Sequence, residues 1–146
     1  MTTGESFASV VQQRSKLGEA MQLVEEAAAA PAAKDGWSAD LVVNLEQLEL
    51  AFNEHIVDVQ SPDGLLDRIV DQAPRLQRAV EVKKREHTRI AGAIGETIER
   101  SSTAQTPDVV VDLRETVMEL LIDLSRHRQK GADLIYDAYA IDIGGY

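Results

Sequence analysis

The chain of 146 residues has the size of one ordinary domain, and its 44% hydrophobic content suffices for one contiguous core, so a single domain over residues 1–146 is expected. With 25 Asp+Glu against 15 Lys+Arg the formal net charge is −10, which argues against nucleic acid or an anionic membrane surface as the main partner, because both require a basic footprint. The absence of cysteine excludes disulfides, thiolate metal sites, iron–sulfur clusters and cysteine nucleophiles together, so any metal must be held by nitrogen and oxygen.

Ala, Leu, Glu, Gln and Arg dominate the long segments, aromatics are only 4%, and no segment of useful length alternates with period two, so helix is favoured over strand. The first helix is expected from about Glu5 to Ala29, with Phe7, Val10, Leu17, Met21, Val24 and Ala28 on one stripe; Pro31, Asp35 and Gly36 break it. The second begins with Ser38 as N-cap and Asp40 in the first turn, runs through Leu41, Leu45, Leu48 and Phe52, and ends at Ser61-Pro62-Asp63-Gly64. A short amphipathic piece, Leu65 to Gln72, leads to Pro74, which can open the third long helix with Leu76, Val80, Ile90, Ile94 and Ile98. After the polar run Ser101 to Thr106, the fourth takes Thr106 as N-cap and Pro107 at its first position, then Leu113, Val117, Leu120, Leu124, Leu134 and Ala138, and ends at Gly144 and Gly145.

Four helices with one apolar stripe each cannot bury those stripes alone. They are expected to form an all-α, antiparallel up-down-up-down four-helix bundle, with the short extra helix between helices two and three. No cationic start followed by an apolar segment opens the chain, and no run of about 18 apolar residues occurs, so a cytoplasmic protein without a membrane span is expected.

The three histidines fall one per helix, each on the buried stripe. His55 continues the rhythm of Leu48 and Phe52, His87 follows Val80 and precedes Ile94, and His127 follows Leu124. With stripes covering about a third of each helix, independent placement would give this roughly one time in 25, so convergence deserves weight as a hypothesis. The functional reading is a metal site inside the bundle. The structural alternative is three core histidines satisfied by carboxylates or backbone. Asp133 is the candidate carboxylate beside them, with Asp123 behind His127. Glu54 and Glu86, each turned about 100° from the neighbouring histidine, read as solvated or bundle-edge residues. Whether His55 reaches the level of His87 depends on how the Leu65 to Gln72 piece takes up the offset.

These residues resemble the hemerythrin-like, or HHE cation-binding, domains over nearly the whole chain. The resemblance rests on Leu48 to His55 (LELAFNEH), PDGLL at Pro62 to Leu66, PRL at Pro74 to Leu76, the Glu86-His87 pair, His127 to Tyr139 (HRQKGADLIYDAY) and the DIGG tail at Asp142 to Gly145. It implies a bundle that holds iron, or another divalent metal, for oxygen binding or redox sensing, with His55, His87 and His127 each matching one ligand. The rest of the family's two-iron pattern is missing. Val59 stands where a bridging carboxylate belongs and Ala91 where a second histidine belongs. Gly131 or Ala132 takes the place of another carboxylate, with Asp133 one step late, and Arg14 beside Gln13 occupies the first-helix slot. Three histidines without a bridging carboxylate are too few for a full diiron centre, so the ligand set implied is His55, His87 and His127, with Asp133 as a fourth.

The competing reading is a metal-free bundle of the same fold acting in regulation or protein interaction, with Arg14 as internal cation paired to Asp133 or another buried carboxylate. Conventional catalysis has little support: there is no Gly-rich phosphate loop, GxSxG elbow or HExxH motif. Trp37 is expected in the loop before the second helix. Tyr136 and Tyr139 are expected to close the core rather than to form a homodimer contact.

Overall fold

A computed structural model describes the backbone of residues 3–33, 35–103 and 106–144, and the side chains of residue 12, 15–33, 35–103 and 106–139. The described residues are all-helical. Helix α1 spans Thr3–Ala29, α2 Trp37–Gln60, α3 Leu65–Gln72, α4 Gln77–Ser102 and α5 Pro107–Gly144, with a single 3-10 turn, Pro74–Leu76, leading into α4. Among the described residues no helix is long and apolar enough to cross a membrane.

The four long helices form a closed ring of neighbours: α1 packs on α2, α2 on α4, α4 on α5, and α5 on α1, while the short α3 lies against α2 and α5. The stripes read from the sequence supply the contact. Leu17, Val24, Leu41, Leu45, Leu48, Phe52, Ile90, Ile94, Leu113, Val117 and Leu124 are fully buried in one large cluster. A smaller cluster forms where α3 meets the ends of its neighbours, from Val59, Leu65, Leu66, Ile69, Ala73, Val80, Leu134 and Ala138.

Local chemistry accounts for most of the breaks. Thr106 caps α5 as expected, its hydroxyl accepting from the Val109 amide at 3.4 Å and its carbonyl from the Val110 amide at 3.0 Å. Helix α2 departs from the expectation by starting two residues early. Gly36, in the left-handed region at φ 85°, precedes it, and Trp37 lies buried inside its first turn rather than in a loop. Ser38 does not cap the helix but donates its hydroxyl to the Ser101 carbonyl at the end of α4. Arg114 lies over the Trp37 ring at 5.5 Å and donates to the carbonyls of Ala28 and Ala30, each at 2.8 Å, which ties the end of α1 to the start of α5.

At the opposite end of α2, Gly64 admits a tight turn that a side chain would obstruct: a Cβ there would fall 2.8 Å from the Ser61 carbonyl oxygen. One expectation about the surface fails. Tyr136 does not close the core but is 63% exposed, whereas Tyr139 packs against the smaller cluster. Nine residues separate Tyr136 from His127, a rotation of about 180° around the helix, which turns its ring away from the bundle.

Candidate metal centre

The apolar stripe of α2 delivers Phe52 and then His55; that of α4 delivers Val80, Lys83, His87 and Ile90; that of α5 delivers Leu124 and His127. Their helices converge at the boundary between the two hydrophobic clusters. His87 is 1% exposed, His127 2%, and His55 half-buried. Ring centroids lie 5.4 Å apart for His55 and His87, 6.0 Å for His55 and His127, and 4.8 Å for His87 and His127. The Phe52 ring closes the floor of this group, 5.8 to 6.0 Å from all three imidazoles and T-shaped to two of them.

Hydrogen bonds fix which ring nitrogen faces inward. Nδ1 of His87 pairs with the Gln60 side-chain oxygen, and Nδ1 of His127 lies 2.8 Å from Glu86 Oε1. An oxygen acceptor at each Nδ1 assigns the proton to that nitrogen, so Nε2 of both rings carries the lone pair. Both Nε2 atoms are buried and, among the described residues, have no hydrogen-bond partner. Orphaned acceptors of this kind are uncommon in a folded interior, and an imidazole held through Nδ1–H by a carboxylate or amide oxygen is the usual outer support of a metal ligand.

The electrostatics keep these rings neutral. Burial pushes the His87 pKa down from 6.5 to about 3, helped by the neighbouring His127 and His55 and by the Lys83 ammonium. Burial and Lys83 likewise lower the His127 pKa, although Glu86 pulls the other way. The Glu86–His127 contact is therefore a hydrogen bond from a neutral ring to a carboxylate, not an ion pair. Burial works to raise the Glu86 pKa, but hydrogen bonds from His127 and from Lys130, at 3.2 Å, together with the charge of Lys83, hold it below the usual carboxylate range.

One ligand atom from each histidine lies within 4.8 Å of the other two, so the three could together hold a metal ion. Tetrahedral coordination with metal–nitrogen bonds near 2.1 Å places ligand nitrogens about 3.4 Å apart, so the rings must close by up to roughly 1.4 Å on a metal. Neutral imidazole nitrogens suit zinc, iron, copper or nickel, and the donor set alone does not choose among them.

His55, His87 and His127 are thus brought together, and the short α3 with its following turn has taken up the offset that the sequence left open. Asp133 is not among them. It is exposed and accepts a hydrogen bond from Gln129 at 3.0 Å; at six residues beyond His127 it is turned about 240° around α5. Asp123 accepts both arms of Arg89, at 2.6 and 3.1 Å, instead of supporting His127. The side chain of Arg14 and the tail Asp142 to Gly145 lie outside the described side chains.

Three residues of the site escaped the sequence reading. Glu86 is not a solvated edge residue: it reaches the histidine of the facing helix rather than its own neighbour. Gln60 closes the last turn of α2 onto His87. Lys83, four residues before His87 on the same stripe, is only 7% exposed and donates to the His127 carbonyl. A lysine in phase with Val80, His87 and Ile90 was a legible signal for it. Comparison of the chain with protein-family models, with curated proteins and with solved structures finds no match.

Proposed function

We propose that this chain is a hemerythrin-like, antiparallel up-down-up-down bundle that binds one divalent metal, iron foremost, on His55, His87 and His127, in a cytoplasmic setting, and that the open side of the metal serves small-ligand or redox sensing. The observation that carries the proposal is the pair of buried Nε2 atoms of His87 and His127, each on a ring anchored through Nδ1 and neither with a hydrogen-bond partner among the described residues. The contacts of Ser38 with Ser101, and of Arg114 with Ala28 and Ala30, support the antiparallel order. They gather the start of α2, the end of α4, the end of α1 and the start of α5 at one end. The small number of histidines and the exposure of Asp133 favour one metal over a two-metal centre.

The test is elemental analysis of protein produced with iron supplied and purified without chelator or metal-affinity resin. About one metal per chain, lost in His87→Ala, is the expected result; a metal-free wild type that resists reloading with iron, manganese or zinc contradicts it. A second reading, a metal-free bundle that acts in regulation or protein interaction, is favoured by one observation: the Lys83 ammonium already places a positive charge against His87 and His127. A stable, fully helical wild type that takes up no metal would select it.

A further inference from the structure

We propose that the outer face of α2 is a docking surface for a basic amphipathic helix of a partner protein. This inference goes beyond the metal reading and does not rest on it.

Val43, Leu50 and Val57 stand seven residues apart on α2, and each is more than half exposed. At about 100° per residue they fall within about 40° of one another, on the side of the helix opposite the buried Leu41, Leu45, Leu48 and Phe52. They form a line about 21 Å long. Each step of seven residues falls about 20° short of two full turns, so the line winds slowly around α2 along the path that a partner helix follows in a left-handed coiled coil. Single exposed apolar residues call for no partner, but a line in heptad register is the seam on which a second helix packs. A surface groove lined by Leu23, Glu26 and Ala27 of α1 and by Asp40 and Asn44 of α2 continues this surface onto α1, where Leu23 is half exposed.

Charge selects the occupant. Helix α2 carries Asp40, Glu46, Glu49, Glu54 and Asp58 and no lysine or arginine. Glu46 and Glu49 flank the line on the α4 side, where Glu49 approaches Gly95, and Asp40 and Glu54 flank it on the α1 side. An apolar seam bordered by lysine and arginine gains from these carboxylates, whereas α2 of a second copy would set acid against acid in either orientation. The exposed apolar run of α5, Val111, Met118 and Ile122, is no better match, because Glu115 and Glu119 stand beside it.

The experiment titrates the full chain into a fluorescently labelled synthetic helix of about 21 residues, with leucine along its heptad seam and lysine on its flanks, at about 0.15 M salt, and reads anisotropy. A twin with glutamate flanks is the comparison. The lysine peptide is expected to bind, and the glutamate twin to bind at least about tenfold more weakly. Leu50→Ser combined with Val57→Ser is expected to weaken the lysine peptide by at least about tenfold, whereas Met118→Ser with Ile122→Ser, on α5, leaves it within about twofold. Glu46→Lys with Glu54→Lys is expected to reverse the preference between the peptides, and it carries the test alone if the serine variant does not fold. A lysine peptide that does not bind, or that binds the Leu50 and Val57 variant as tightly as wild type, overturns the proposal. So does a preference that survives the charge reversal. Wild-type dimers that Leu50→Ser dissociates would make a second copy the occupant and overturn it too. Metal content enters none of these outcomes, so the docking surface and the metal site fail separately.

Discussion

The two hydrophobic clusters of this bundle are built from similar side chains and do different work. The larger one, from Leu17 and Trp37 to Leu124, is aliphatic and aromatic throughout, with Phe52, Leu41, Leu45, Leu48, Ile94 and Leu113 fully buried. The smaller one, around Val59, Leu65, Leu66 and Ile69, borders a cavity and the buried polar groups His87, His127 and Lys83. Close packing without polar demands stabilises; space with oriented polar atoms could hold a metal. Keeping the two at opposite sides of the histidine layer lets the fold carry unsatisfied Nε2 atoms without loosening its core.

The comparison breaks if the larger cluster is not the source of stability. Leu45→Ala is expected to destabilise the protein by about 2–5 kcal/mol, read from urea unfolding, with metal content per folded chain unchanged. Metal should act from the other side. At about 100 times its Kd, zinc is expected to add about 2.7 kcal/mol to wild type and nothing to His87→Ala, measured as the shift in thermal unfolding. Glu86→Gln, which removes the carboxylate behind His127, is expected to weaken zinc by about 10–100-fold while leaving the helix content intact, a change that competition with a chromophoric chelator resolves.

Acid sharpens the same contrast. The unfolded chain protonates His87 near its ordinary value of 6.5, whereas the folded chain resists protonation until about 3, so below pH 6.5 the unfolded state binds more protons. Stability of the metal-free protein is therefore expected to fall as pH drops from about 6.5 toward about 3, with His127 adding in the same direction. A smaller fall in the urea midpoint through that window in His87→Leu than in wild type would locate the effect at His87. The smallest change is expected at the surface. Arg89→Ala breaks the bidentate pair with Asp123, in which Arg89 is 57% exposed, and should alter stability by less than about 1 kcal/mol, and less still at high salt.

Much of this was legible in the sequence because helix periodicity is a local property. The five helical segments, the Thr106-Pro107 start of α5 and the presence of all three histidines on apolar stripes follow from spacing alone. What escaped depends on the neighbouring helix. Ser38 looks like a cap until the Ser101 carbonyl offers its hydroxyl a better partner. Glu86 looks solvated when judged against His87 and becomes part of the site only when α5 brings His127 alongside it. Asp133 looked near enough in sequence to serve as a ligand, but rotation around α5 carries it to the surface. Lys83 could have been found, since it shares the stripe of Val80 and His87; the expectation placed the internal cation at Arg14 instead.

The central claim is that His87 and His127 are neutral, protonated on Nδ1, and present Nε2 lone pairs to a common point. Nitrogen-15 NMR of the histidine rings measures this directly, before and after zinc. The expected result is the Nδ1–H tautomer for both rings in the metal-free protein and a zinc-dependent shift confined to their Nε2 atoms and one nitrogen of His55. Nε2–H tautomers, or charged rings that do not respond to zinc, would contradict it.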